Sequence, residues 1–180
     1  MTYMRSDMSF HSATPLEPMA PAMLYNFISL LAVAQHRQIS FLPITWQPAL
    51  DRVGLGGTSE IRQSFIKLQT SFAFKRIKHS ERTRLGDSII FQTLLSEVTV
   101  LSHPSIKDHP NIVKLLGICW DISQKGTVWP VLVSEKAQFG NLKEFSVSEA
   151  GKGMSLDKRL KICAGIATAI RDMHTCRKYS

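Results

Sequence analysis

Val53-Gly54-Leu55-Gly56-Gly57-Thr58-Ser59-Glu60-Ile61 opens the stretch that decides the fold, and Glu97 closes it. Behind the glycines, Ile66, Leu68, Phe72 and Phe74 occupy even positions, with mostly polar residues between them. Period two with branched and aromatic side chains predicts strands over residues 61–68 and 72–77, joined by a turn at Gln69-Thr70-Ser71. Lys75 lies inside the second strand. The polar residues 78–86 read as a loop. Asp87 or Ser88 can cap a helix over residues 89–102, whose stripe is Ile90, Leu94, Val98 and Leu101. Glu97 rides on that helix beside the stripe.

Gly54 and Gly56 lack side chains, so backbone amides there can approach a polyanion closely. An ordinary hairpin turn accounts for the same residues equally well. A dinucleotide-binding fold needs its glycines to open a helix, and the alternation after Ile61 argues against one. Lys75 on an apolar strand must meet an anion or lose its hydration uncompensated. Glu97 can supply that charge. Glu81 is a rival from the loop, and the bland alternative leaves lysine and glutamate exposed on separate surfaces.

In this order and spacing the motifs resemble the amino-terminal lobe of a eukaryotic-type protein kinase. The resemblance rests on residues 53–61, Phe72-Ala73-Phe74-Lys75, Glu97-Val98-Thr99-Val100-Leu101 and His109-Pro110-Asn111-Ile112-Val113. The loop resembles GxGxxGxV, with Gly54 and Gly56 at the first two glycines, Gly57 following, Ser59 at the third and Ile61 at the final valine. Ala73 and Lys75 match the alanine and lysine of VAIK. Val131-Leu132-Val133-Ser134-Glu135-Lys136-Ala137 looks like the fifth strand and hinge, with Ser134 at the gatekeeper position. The resemblance covers about residues 49–176.

The resemblance implies an α+β fold: a five-stranded antiparallel sheet with one packed helix, followed by a partial helical large lobe. It implies ATP as cofactor, held by Val53, Gly54, Gly56, Gly57, Ser59, Ile61, Ala73, Lys75, Glu97, Ser134, Glu135 and Ala137. In the family's roles, Lys75 holds the α- and β-phosphates and Glu97 fixes Lys75. Ala73 packs on adenine, and backbone groups near Glu135 and Ala137 bond its edge. Pattern and resemblance together give an expected organisation of a tail over residues 1–21, a helix over 22–40, the small lobe with hinge over 41–145, and a linker with the first large-lobe helix over 146–180.

The family's catalytic loop, H-R-D-x-x-x-x-N, follows the position that Met173-His174 occupies here. This chain reads Thr175-Cys176-Arg177-Lys178-Tyr179-Ser180 instead. The expectation is a kinase domain truncated before that loop, without its aspartate and without the magnesium ligands. Arg171-Asp172 lies inside the last helix and only echoes the motif. Such a chain is expected to be inactive alone and to bind ATP weakly or not at all. A catalytically dead, kinase-like interaction module is the alternative.

The flanks follow from pattern. Leu24, Phe27, Ile28 and Leu31 predict a helix over residues 22–38, either docked on the domain or used as a membrane-surface or partner helix. Residues 41–47 read as a short strand that Pro43 confines to an edge. Further strands are expected over 113–120 and 131–134, and a short helix over 142–145. Gly151-Lys152-Gly153 reads as a linker. Leu156, Leu160, Cys163, Ile166, Ala167, Ile170 and Met173 form an apolar stripe on the last helix. That stripe folds back, meets a partner protein, or awaits a longer product.

Composition bounds the rest. The 180 residues carry 22 Lys and Arg against 14 Asp and Glu, a formal charge of +8 that favours anionic partners. Charge alone supports no specific nucleic-acid role. The longest apolar run, residues 22–34, is interrupted by Asn26 and Ser29 and is too short for a membrane span. Cys119, Cys163 and Cys176 form no CxxC pair, which suits reduced thiols in an intracellular, cytoplasmic setting. The six histidines and three cysteines show no zinc-ligand spacing.

Overall fold

The computed structural model describes residues 24–45, 52–55, 57–67, 70–123 and 125–176. The tail expected over residues 1–21, and Gly56, lie outside them. The first helix forms as α1 (Phe27–His36), capped where Asn26 Oδ1 accepts the Ser29 N–H at 2.9 Å. It stops because Gln38 turns into the left-handed region, φ 55°, and Ile39 N–H donates to Ala34 O at 2.8 Å. The chain then enters β1 (Phe41–Thr45).

Next come β2 (Arg52–Leu55), β3 (Ser59–Lys67) and β4 (Thr70–Ile77), then helices α2 (His79–Leu85) and α3 (Asp87–Leu101). Strands β5 (Leu115–Ile122) and β6 (Val128–Glu135) complete the sheet. The sheet order is β1-β5-β6-β4-β3-β2. Strands β2 to β6 are the five antiparallel strands expected, and β1 enlarges the sheet by a sixth, parallel to β5. Pro43 has no N–H to offer a further neighbour, so β1 suits the edge. Gly117 lets it close in: Ile118 N–H donates to Ser40 O at 2.9 Å, and a Cβ at Gly117 would stand 2.5 Å from that oxygen.

Alternation along β5 and β6 sends apolar side chains to both faces. Ile118 and Leu132 join a core with Ile77, with Ile90, Phe91, Leu94, Leu95 and Val98 of α3, and with Leu30 and Ala34 of α1. Cys119, Val131, Val133 and Phe74 form a second cluster, with Leu42 and Ile44 of β1 against it. A buried methylene is worth about 0.8 kcal/mol, so these two clusters dominate the stability.

The second face also holds an ion network that the sequence reading did not foresee. Glu60 on β3 accepts from Arg76 on β4 and lies 3.4 Å from Arg62. Arg76 also reaches Asp121 on β5 at 3.1 Å, and Arg82 of α2 donates to Asp121 at 2.7 Å. The Arg82 guanidinium stands 4.9 Å over the Trp129 ring. These contacts explain why residues 78–86, read as a loop from their polarity, are largely helical. Arg82 is drawn onto the sheet, and Arg84 pairs with Glu81 one turn away. The cap of α3 also differs from expectation. Gly86, φ 76° and ψ 155°, separates the two helices in a conformation that only glycine adopts readily, and Asp87 lies in the first turn.

After β6, Asn141 caps α4 (Leu142–Val147), its Oδ1 accepting Glu144 N–H at 2.9 Å. The expected linker 151–153 is partly α5 (Glu149–Lys152), capped by Ser148. Gly151 is there for space. A Cβ on it would stand 2.0 Å from Phe145 O. Helix α6 (Leu156–Cys176) follows. Its apolar stripe is open: Leu156, Leu160 and Ile170 are 72%, 60% and 52% exposed. The seated side is small instead, with Ala169 buried and Gly165 against the Asn111 side chain. His109 Nε2 lies 3.4 Å from Asp172 Oδ2 on the same side.

Two measurements check this packing. Gly151→Ala forces the backbone apart and should cost about 1–3 kcal/mol in chemical denaturation. Gly153→Ala meets only Glu149 O at 3.4 Å and should cost about 0.5 kcal/mol or less. Burial raises the Glu60 pKa, but the hydrogen bonds and charges of Arg76 and Arg62 outweigh it and leave it below 4.5. The unfolded chain therefore takes up that proton first as pH falls. The contribution is full above pH 4.5 and drains as pH drops through the lowered folded value. In melts from about pH 6 to about pH 3, the deficit of Glu60→Gln against wild type should shrink.

Candidate functional site

Strand register assembles the site. Gly54 on β2 faces Ile61 on β3, Ile61 faces Lys75 on β4, and Lys75 faces Leu132 on β6. One step along, Ala73 stands opposite Ser134, and Phe72 opposite Glu135. Residues two apart on a strand share a face, so Ala73 and Lys75 point the same way. Residues far apart in sequence thus fall into two adjacent rows across four strands.

The helix supplies the charge. Lys75 Nζ lies 2.8 Å from both carboxylate oxygens of Glu97. The lysine side chain is 35% exposed and the glutamate 25%, so the pair sits at the seam between core and solvent. A half-exposed pair of this kind contributes about 1 kcal/mol or less to stability. Its worth is positional. An ammonium has three donors, and Glu97 engages it with two oxygens. The rival Glu81 is committed to Arg84, with Arg84 Nε 3.0 Å from Glu81 Oε2.

The loop ahead of β3 is described in part. Val53 and Gly54 lie within β2, where the register shifts between Arg52 and Gly54. Gly57 forms an exposed bend whose carbonyl accepts Lys78 Nζ at 2.9 Å. Ser59 is buried at the start of β3, opposite Ile77. At the other end, Ser134 Oγ donates to Ala73 O at 3.5 Å. Glu135 is clasped to Lys114: its N–H donates to Lys114 O, and its Oε1 accepts Lys114 N–H, both at 3.0 Å. Ala137 O accepts Gly140 N–H at 3.3 Å, so the segment after β6 turns at once toward α4.

Sequence reasoning missed the two braces, Lys78 on Gly57 and Lys114 on Glu135. Both pair a side chain or strand end with a backbone group some 20 residues away, and no local spacing announces that. Among the described residues, no group of three or more His, Cys, Asp or Glu side chains converges as a metal site. No described helix is long and apolar enough to cross a membrane.

Comparison with known proteins follows the same lines. The family described as protein tyrosine and serine/threonine kinase matches residues 50–177. Wall-associated receptor kinase-like 14 of Arabidopsis thaliana is 29% identical over 124 residues, which is 69% of this chain and 16% of that protein. The chain thus spans a small part of the length of this curated relative. Among solved structures, the apo GRMZM2G135359 pseudokinase superposes with a TM-score of 0.54 at 22% identity, over 70% of this chain and 43% of that one. The pseudokinase DRIK1, solved bound to ENMD-2076, gives a TM-score of 0.55 at 20% identity, over 74% and 52%. Those two likenesses concern the fold. The match over residues 50–177 shows that the chain belongs to the protein tyrosine and serine/threonine kinase family.

Proposed function

We propose that residues 52–137 are the ATP-gripping lobe of a protein kinase domain. The observation that carries this is the bidentate approach of Lys75 to Glu97 at 2.8 Å, in line with the glycine strand. ATP supplies the transferable phosphoryl group. Lys75 binds the α- and β-phosphates, and Glu97 keeps that ammonium from turning toward solvent. Backbone amides around Gly54, Gly56 and Gly57 approach the triphosphate. Ala73 packs beside the adenine, Ser134 borders it, and backbone groups at Glu135 and Ala137 read its edge.

Transfer to a protein hydroxyl is proposed only for a product that also carries the family's catalytic aspartate and magnesium ligands, which have no counterpart among these residues. The open stripe of α6, with Leu156 72% exposed, favours a second reading in which the chain acts by protein contact and no phosphate is moved. An intracellular setting suits either. Burial, with the Asp121 charge second, pushes the Cys119 thiol up to about 12, and neither Cys119 nor the exposed Cys163 is paired.

Titration of a fluorescent ATP analogue, with and without magnesium, separates the readings. Lys75→Met should weaken binding about 10–100-fold, because a charge-assisted bond is worth roughly 1.5–3 kcal/mol. The same change should move the unfolding free energy by about 1 kcal/mol or less. Equal affinity of the two proteins, or no binding by either, would remove the nucleotide role and leave the contact module.

A further inference from the structure

Residues 24–45 precede the segment that matches the family, yet they supply part of its core. Leu30 and Ala34 of α1 are 0% exposed and lie in one cluster with Leu94 and Val98 of α3. Phe27 meets Phe91 edge-on at 6.2 Å and Trp120 of β5 at 5.7 Å. Strand β1 then lies along β5, and Phe41 stacks on the same Trp120 at 5.6 Å. The segment therefore grips two elements at once, the helix that carries Glu97 and the sheet edge beside it.

We propose that residues 24–45 are a strap that sets the position of α3 and so decides whether Glu97 meets Lys75. Val98 adjoins Glu97 in sequence and is fully buried in the cluster that α1 closes. With the strap on, α3 is held against the sheet and the 2.8 Å pair forms. With the strap off, the apolar stripe of α3 loses the cover of Leu30 and Ala34, the helix loosens, and the ammonium loses its mate. The five antiparallel strands β2 to β6 persist without it, because their pairing does not involve β1. The strap's hold is graded: a capped helix, an edge strand of five residues and three aromatic contacts.

Hydrogen exchange on the full chain tests this. Leu30→Ala should speed exchange of α3 amides on the order of 100-fold while amides of β4 and β6 change by about 3-fold or less. Asn26→Ala removes only the helix cap and should give a smaller α3 effect, about 5-fold, in a protein that stays folded. A synthetic peptide of residues 24–45, added to Leu30→Ala, should restore slow exchange in α3. Equal acceleration everywhere in both variants, or an unchanged α3 in Asn26→Ala, would overturn the strap. A second arm rests on the ATP reading: Asn26→Ala should weaken the fluorescent analogue in wild type but not further in Lys75→Met. If wild type binds no analogue, the ATP reading falls, while the exchange arm still decides the strap.

Discussion

An ammonium on the inward face of a central strand needs a carboxylate, and in this molecule a helix laid on that face brings one. Most of the architecture serves that requirement. The sheet carries Lys75 between Ile61 and Leu132. The apolar stripe of α3 packs on Ile118 and Leu132, which fixes the helix close enough for Glu97 to reach across. The pair itself is too exposed to hold the lobe together. Hydrophobic burial does that, and the charges exploit the resulting geometry.

The two faces of the sheet solve the charge problem differently. On the α3 side one cation meets one anion near solvent. On the other side Arg76, Arg82, Glu60 and Asp121 close on one another, with Glu60 and Asp121 nearly sealed from water. The first arrangement is suited to receiving something. The second is suited to staying as it is, and it pins α2 so that Gly86 can swing the chain into α3.

Much of this was legible in the sequence because it is periodic. Alternation at Ile66, Phe72 and Phe74 gave strands, and Lys75 stood out as a charge among apolar neighbours. The four spaced motifs then fixed the order of sheet and helix. What escaped was set by distant partners. Helix α2 is short and polar, and Asp121 and Trp129 hold it from elsewhere in the chain. Gly151 read as part of a linker, whereas the reason for glycine is the carbonyl of Phe145. The strand at residues 41–45 could be read, but its parallel partner could not. The placement of Gly56 and of the tail before residue 24 lies outside the described residues, and Gly57 is seen only as a bend.

The mooring of α6 has a mechanical corollary. Among the contacts of its 21 residues, Asn111 rests on Gly165 and His109 faces Asp172. Gly165 lets the helix axis come close to Asn111 there, while Arg159 near the other end donates to Gly151 O at 3.2 Å. At 1.5 Å per residue, Leu156 stands about 14 Å along the rod from Gly165. A tilt of about 10° at the pivot therefore sweeps the far tip through about 2 Å. A small change of seating at Gly165 is therefore magnified at Leu156, where the apolar stripe is most open.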